Sequence, residues 1–180
     1  MLVYEKLILR NKSEFIAKLN QVAKDLDINP NWLMLVFYLE SGVNEKAINS
    51  KTGASGLIQF MPATAKGLGT SVEAIRQMSN VQQLDYVYKY FLPYRRAING
   101  FTDLYLITFY PAALLKKRPD TWNFPKIVYD YNPGLDKNRD QVVNLGEWKR
   151  YILTKVPQSF PVAELVKKKA PELEPPPSLV

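Results

Sequence analysis

Apolar residues recur at helical spacing through most of the chain. Phe15, Ile16, Leu19, Val22, Ala23 and Leu26 line one face of a first amphipathic helix, with Ser13 placed to cap it. Asp27-Ile28-Asn29-Pro30 breaks that pattern, and Asn29 is placed to cap a second helix carrying Pro30 in its first turn. The second helix, Pro30 to Ser41, is apolar nearly all round (Trp32 to Phe37, then Leu39), as buried helices are. Glu40 at its end is therefore a carboxylate against an apolar wall, with Phe37, Tyr38, Leu39 and Met61 as its expected neighbours. Asn44 to Ser55 is polar and turn-rich. Thr70-Ser71-Val72-Glu73 and Ser79-Asn80-Val81-Gln82 have capping-box spacing, the second opening a helix through Leu84, Val87, Tyr88, Phe91 and Leu92. Thr102 is placed to cap a helix containing Leu104, Leu106, Ile107, Phe109 and Tyr110, and Leu145 to Val156 forms a last one. Capped helices with little strict alternation predict a mainly α fold.

The length of 180 residues suits one domain with a real core, here 1–156. Pro157, Pro161, Pro171 and Pro175 to Pro177 mark 157–180 as a Pro/Lys-rich docking segment or tail. Met1 to Arg10 has no long apolar run, so a secretion signal is not expected, and no stretch is long enough to span a bilayer.

Two absences narrow the chemistry. There is no Cys and no His, which removes disulfides, thiol nucleophiles, Ser-His and Cys-His catalysis, and Cys- or His-rich zinc sites. Glycoside chemistry runs on carboxylates and stays open. The formal charge of +7 suits an anionic polymer, and with no Arg-rich helix or Gly-aromatic module nucleic acid is not expected.

Glu40-Ser41, a Gly-rich loop ending Gly53-Ala54-Ser55-Gly56, and then Leu57-Ile58-Gln59-Phe60-Met61-Pro62-Ala63-Thr64-Ala65 form an ordered motif pair. The pair resembles the soluble lytic transglycosylase and goose-type lysozyme family, over roughly residues 13 to 115. The resemblance implies a lysozyme-like helical domain with a small loop or hairpin region. It also implies a muramidase that cuts the MurNAc-GlcNAc bond of peptidoglycan. Glu40 would be the single general acid/base, with Ser41, Gln59, Met61 and Tyr110 around the substrate. Tyr110 stands at the family's spacing for a tyrosine expected to orient Glu40, although Pro111 replaces the Asn that normally follows; Tyr131-Asn132-Pro133-Gly134 is the other candidate for that motif. A lytic transglycosylase closes an anhydromuramyl ring and needs no cofactor. The alternatives are goose-type hydrolysis and a non-catalytic wall-binding or phage structural protein. A bacteriophage lysin, carried in the virion or released at lysis and acting on the cell wall in the periplasm, is the expected setting, with the tail docking on a tail or baseplate protein.

A second pattern lies near the end. Asp136, Asn138, Asp140, Val142, Asn144 and Glu147 have the ligand spacing of an EF-hand loop, with Gln141 at the usual glycine. The expectation is a structural Ca2+ pinning the last helix.

Overall fold

The computed structural model describes residues 1–167; the remainder of the tail, 168–180, lies outside the described residues. Much of its core comes from α2 (Pro30–Ser41). Trp32, Leu33, Met34, Leu35, Val36 and Phe37 are all buried. Six such side chains at about 1.5–3 kcal/mol each give α2 roughly 9–18 kcal/mol of gross burial, an upper bound because the unfolded chain already hides some of that surface. Asn29 caps it as expected, its side-chain oxygen accepting from Asn31 N at 2.9 Å.

The helix stops at Gly42 (φ 66), whose N–H bonds to the Tyr38 carbonyl, and Val43 N–H bonds to Phe37. Val43 itself has φ 62. A β-branched residue in the left-handed region costs about 1–2 kcal/mol, so the chain carries strain three residues past Glu40.

α1 (Lys12–Leu26) lies against α2 and against α5 (Asn80–Phe91). Ser13 does not cap α1: the helix begins one residue earlier, with Asn11 (φ 48) as N-cap and no side-chain bond. α3 (Pro62–Gly67) and α4 (Val72–Gln77) follow the loop region. Ser71, not Thr70, caps α4 by accepting from Ala74 N. At α5 the full capping box of Ser79 and Gln82 is present. α6 (Phe101–Phe109) packs on α2 and starts from Gly100, so Thr102 is inside the helix and not its cap.

Two short helices, α7 (Pro111–Leu115) and α8 (Lys126–Tyr131), start at or directly after a proline, which is well tolerated at or before a first helical turn. α9 (Leu145–Leu153) ends before the predicted Val156 and buries Trp148 and Ile152.

Among the described residues there is no strand. The hairpin region reduces to isolated bridges, Ile48 with Ser55 and Ser55 with Phe60. Residues 162–167 pack back on the body: Trp32 Nε1 donates to the Glu164 carbonyl at 2.6 Å, and Lys167 N to the Asn99 carbonyl at 2.8 Å. No helix among the described residues is long and apolar enough to cross a membrane.

Candidate active site

Glu40 rides on the last turn of α2, where the helix emerges from the core. Its half-buried carboxyl lines a groove of about 350 Å³, with Asn49, Thr52, Gln59, Met61, Tyr90 and Thr108 among the other walls. No other carboxylate lines that groove among the described residues.

Burial pushes the Glu40 carboxyl above its ordinary value of 4.5, and the neighbouring Tyr105 hydroxyl opposes part of that shift. Tyr105 comes from α6. Burial first, and then the neighbouring Glu40 charge, hold its hydroxyl well above the usual tyrosine range. Tyr90 from α5 closes the other side. Its hydroxyl donates to the Ile107 carbonyl at 2.9 Å and is also pushed up, first by burial, then by Tyr94 and Glu40.

The expected neighbours divide sharply. Met61, at the N-cap of α3, is 45% exposed and lines the groove. Tyr38 does not face Glu40; its ring stacks on Tyr4 at 3.8 Å. Two residues along a helix is a rotation of about 200°, so positions 38 and 40 point to opposite sides.

Tyr110, expected to orient Glu40, packs its ring against Trp122 and Phe124 at 5.7 and 5.4 Å and does not line the groove. The tyrosine that reaches Glu40 is Tyr105, more than a helical turn earlier. Pro111, standing where the motif carries Asn, opens α7. Tyr131 is exposed at the end of α8 and is likewise not part of the groove.

Ser41 is not a groove wall either. Its hydroxyl lies 3.0 Å from the Phe37 carbonyl and 2.9 Å from the Leu57 carbonyl, with one hydrogen shared between them. It ties the end of α2 to the loop that carries Gln59, and so acts on position.

Gln59 has φ 52, a conformation uncommon for a residue with a Cβ. Its amide nitrogen donates to Gly56 O at 3.1 Å and to Ala47 O at 3.4 Å. Those bonds fix the side chain and use the nitrogen, which leaves the amide oxygen as an acceptor.

The loop itself is held by a residue the sequence did not single out. Gln83 of α5 is fully buried; its oxygen accepts from Leu57 N at 2.9 Å, and its nitrogen donates to Glu45 O at 2.8 Å and Ile75 O at 2.9 Å. Gly56 (φ 80) runs so close that a Cβ there would lie 2.5 Å from Gln83 Oε1 and 2.9 Å from Ile75 Cγ2. Only glycine fits both the angle and the space.

The second sequence pattern forms a tight loop. Asp136 accepts from Arg139 N at 2.7 Å and Gln141 N at 2.9 Å, Asp140 accepts from Val142 N at 2.9 Å, and Asn138 donates to Asp140. Asn144 and Glu147 form a capping box at the start of α9, and Glu147 is buried. Among the described residues no three acidic side chains, those of this loop included, are gathered closely enough to hold a metal ion.

No solved structure matches this chain. Residues 18–90, from within α1 to within α5, match the family model of the Transglycosylase SLT domain. That stretch contains Glu40, Ser41, Gln59, Met61, Gln83 and Tyr90, while Tyr105 and the 136–147 loop lie beyond it. The likeness to that family covers this stretch, under half of the chain.

Proposed function

We propose that the chain is a peptidoglycan lytic transglycosylase in which Glu40 alone serves as acid and then as base. The observation that carries this reading is the single, half-buried carboxyl in the groove, with its acidity weakened by burial. Inverting and retaining glycosidases ordinarily place a second carboxylate opposite the first, to activate water or attack the sugar. With one carboxylate, the second role falls to the substrate.

In this cycle Glu40 acts first in its protonated form, towards which burial shifts it. It gives its proton to the bridging oxygen as the bond to the muramyl anomeric carbon breaks, and the substrate's N-acetyl oxygen supports the cationic centre. Glu40, now charged and stabilised by the Tyr105 hydroxyl, takes the proton of the muramyl 6-hydroxyl as that oxygen closes on the anomeric carbon. The net reaction splits one chain into a GlcNAc end and a 1,6-anhydromuramyl end without adding water. Gln59 offers its amide oxygen to a sugar hydroxyl or N–H, and Met61 gives the strand an apolar edge.

Mass spectrometry of fragments released from purified sacculi tests this. The expected muramyl ends lack one water relative to hydrolysed ends. Hydrated ends alone would assign goose-type hydrolysis, and no fragments at all would assign a wall-binding role.

A structural Ca2+ at the 136–147 loop is a separate proposal. It rests on the oxygen-ligand spacing of Asp136, Asn138, Asp140, Val142, Asn144 and Glu147, and on Gln141, whose φ of 65 supplies the turn that glycine usually makes. It supplies no catalytic chemistry. Melting temperatures in calcium and in chelator that coincide would end it. Delivery by a phage particle or at host lysis completes the proposal, and detection of the chain in purified virions tests the first route.

A further inference from the structure

On the side of α6 away from Glu40 lies a second groove, of about 410 Å³, between the 3-10 turn Leu92–Ala97, α6, α7 and the start of α9. Its floor is apolar: Leu106, Ala113 and Leu145 are buried there, and Leu115 stands 57% exposed at the edge. Its rim is cationic, with Arg96, Lys117, Arg118 and Lys149 against one carboxylate, Asp103, which already accepts from Asn99 N at 2.9 Å.

Lys149 is paired with Asp120 at 2.7 Å. Arg96, Lys117 and Arg118 take part in no ion pair among the described residues. Two of these three are fixed by backbone geometry. Lys117 (φ 47) ends α7 with its N–H on the Leu114 carbonyl, and Arg118 N–H returns to Ala113, a helix-stop arrangement that carries both cations on the groove's edge. An apolar floor under cations that have no ion-pair partner among the described residues suits a ligand that is both acidic and apolar. A plain phosphate chain would leave the floor unused.

The chain supplies such a segment next to this groove. Asn99, one of its lining residues, accepts from Lys167 N at 2.8 Å, and Val166 bridges Gly100. Beyond Lys167 the sequence continues Lys168-Lys169-Ala170-Pro171-Glu172-Leu173-Glu174-Pro175. Five residues reach at most about 17 Å, enough to carry Glu172 from Lys167 over a neighbouring rim. We infer that the groove is a docking site for the acidic, apolar segment 171–175 of the same chain, with Glu172 and Glu174 on the cationic rim and Leu173 on the floor.

The absence of cysteine makes the test direct. A nitroxide placed on Ser178→Cys, well downstream of the Lys167 anchor, is read through paramagnetic loss of amide signals in the isotope-labelled full-length chain. The expected result is signal loss concentrated on Leu114, Leu115, Lys117, Arg118 and Lys149, weakened by salt because the rim charges are exposed. It should vanish when Glu172→Lys and Glu174→Lys are combined, and also in Lys117→Glu/Arg118→Glu. Loss spread evenly over the surface, no loss at the groove, or loss that survives either charge reversal would overturn the inference. So would loss seen only when spin-labelled and isotope-labelled molecules are mixed, which would place the segment on a second copy. None of these readouts depends on enzymatic activity, so failure here leaves the proposed function standing.

Discussion

Replacing Gln83 by Leu substitutes an apolar side chain of roughly similar volume, one bond shorter, and removes all three of its hydrogen bonds. The losses are unequal. Ile75 O keeps a partner in Met78 N, and Glu45 O lies in a partly buried region that water can reach. Leu57 N–H is different, because it sits in a fully buried residue and Gln83 is its acceptor. An orphaned buried donor costs about 1–3 kcal/mol, and the Glu45 carbonyl adds up to about 1 kcal/mol more. Leucine returns part of this through apolar burial, so the net loss expected is about 2–3 kcal/mol. For a chain of this size that is a fall in Tm of roughly 4–12 °C. Urea unfolding should show a lower midpoint at unchanged slope. The Leu57-Gln59 segment hangs on this bond, so kcat/KM on sacculi should fall as well. A Gln83→Leu variant that melts within about 1 °C of the parent would refute the claim that this side chain holds the groove's floor.

Gly56→Ala should destabilise more than a usual surface change, by about 2–5 kcal/mol, because a left-handed angle and a sub-contact approach to Gln83 and Ile75 add together; chemical unfolding measures it. Tyr105→Phe removes the hydroxyl that favours the charged form of Glu40, so the Glu40 pKa should rise and the alkaline limb of the pH–rate profile should move to higher pH; an unmoved limb would separate the two residues. Glu40→Gln should alter stability in a pH-dependent way. The folded-state pKa of Glu40 is raised, so its relative contribution is full below the ordinary 4.5 and is lost as pH rises through the folded value. The Tm of the Gln variant minus that of the parent should therefore grow with pH across that window, and a flat difference would deny the raised pKa.

Much of this was readable from residue patterns, and the misreadings have physical causes. α2 declared itself through Asn29, Pro30 and its apolar run, and Glu40 followed as the acid at its end. Gln59 and Met61 were legible because they lie within the same loop and helix start. Tyr105 was not, because α6 is apolar nearly all round and its periodicity does not say which face turns towards Glu40; motif letters then favoured Tyr110. Tyr38 lies on the far side of α2, as its two-residue spacing from Glu40 dictates. Ser13, Thr70 and Thr102 each sit near a helix start, but which residue caps is set by backbone angles that composition does not encode. Gln83 gave no local signal at all: its role comes from three long-range partners.

The central claim is that one carboxyl, its protonated form favoured by burial, cleaves the glycan. It is tested most directly by the rate at which Glu40→Gln releases soluble fragments from purified sacculi, compared with the parent at equal folded concentration. The amide preserves shape and cannot deliver a proton, so the rate should fall by at least about 10²–10⁴-fold while the circular dichroism stays the same. A Gln variant that digests sacculi within about tenfold of the parent would contradict the account.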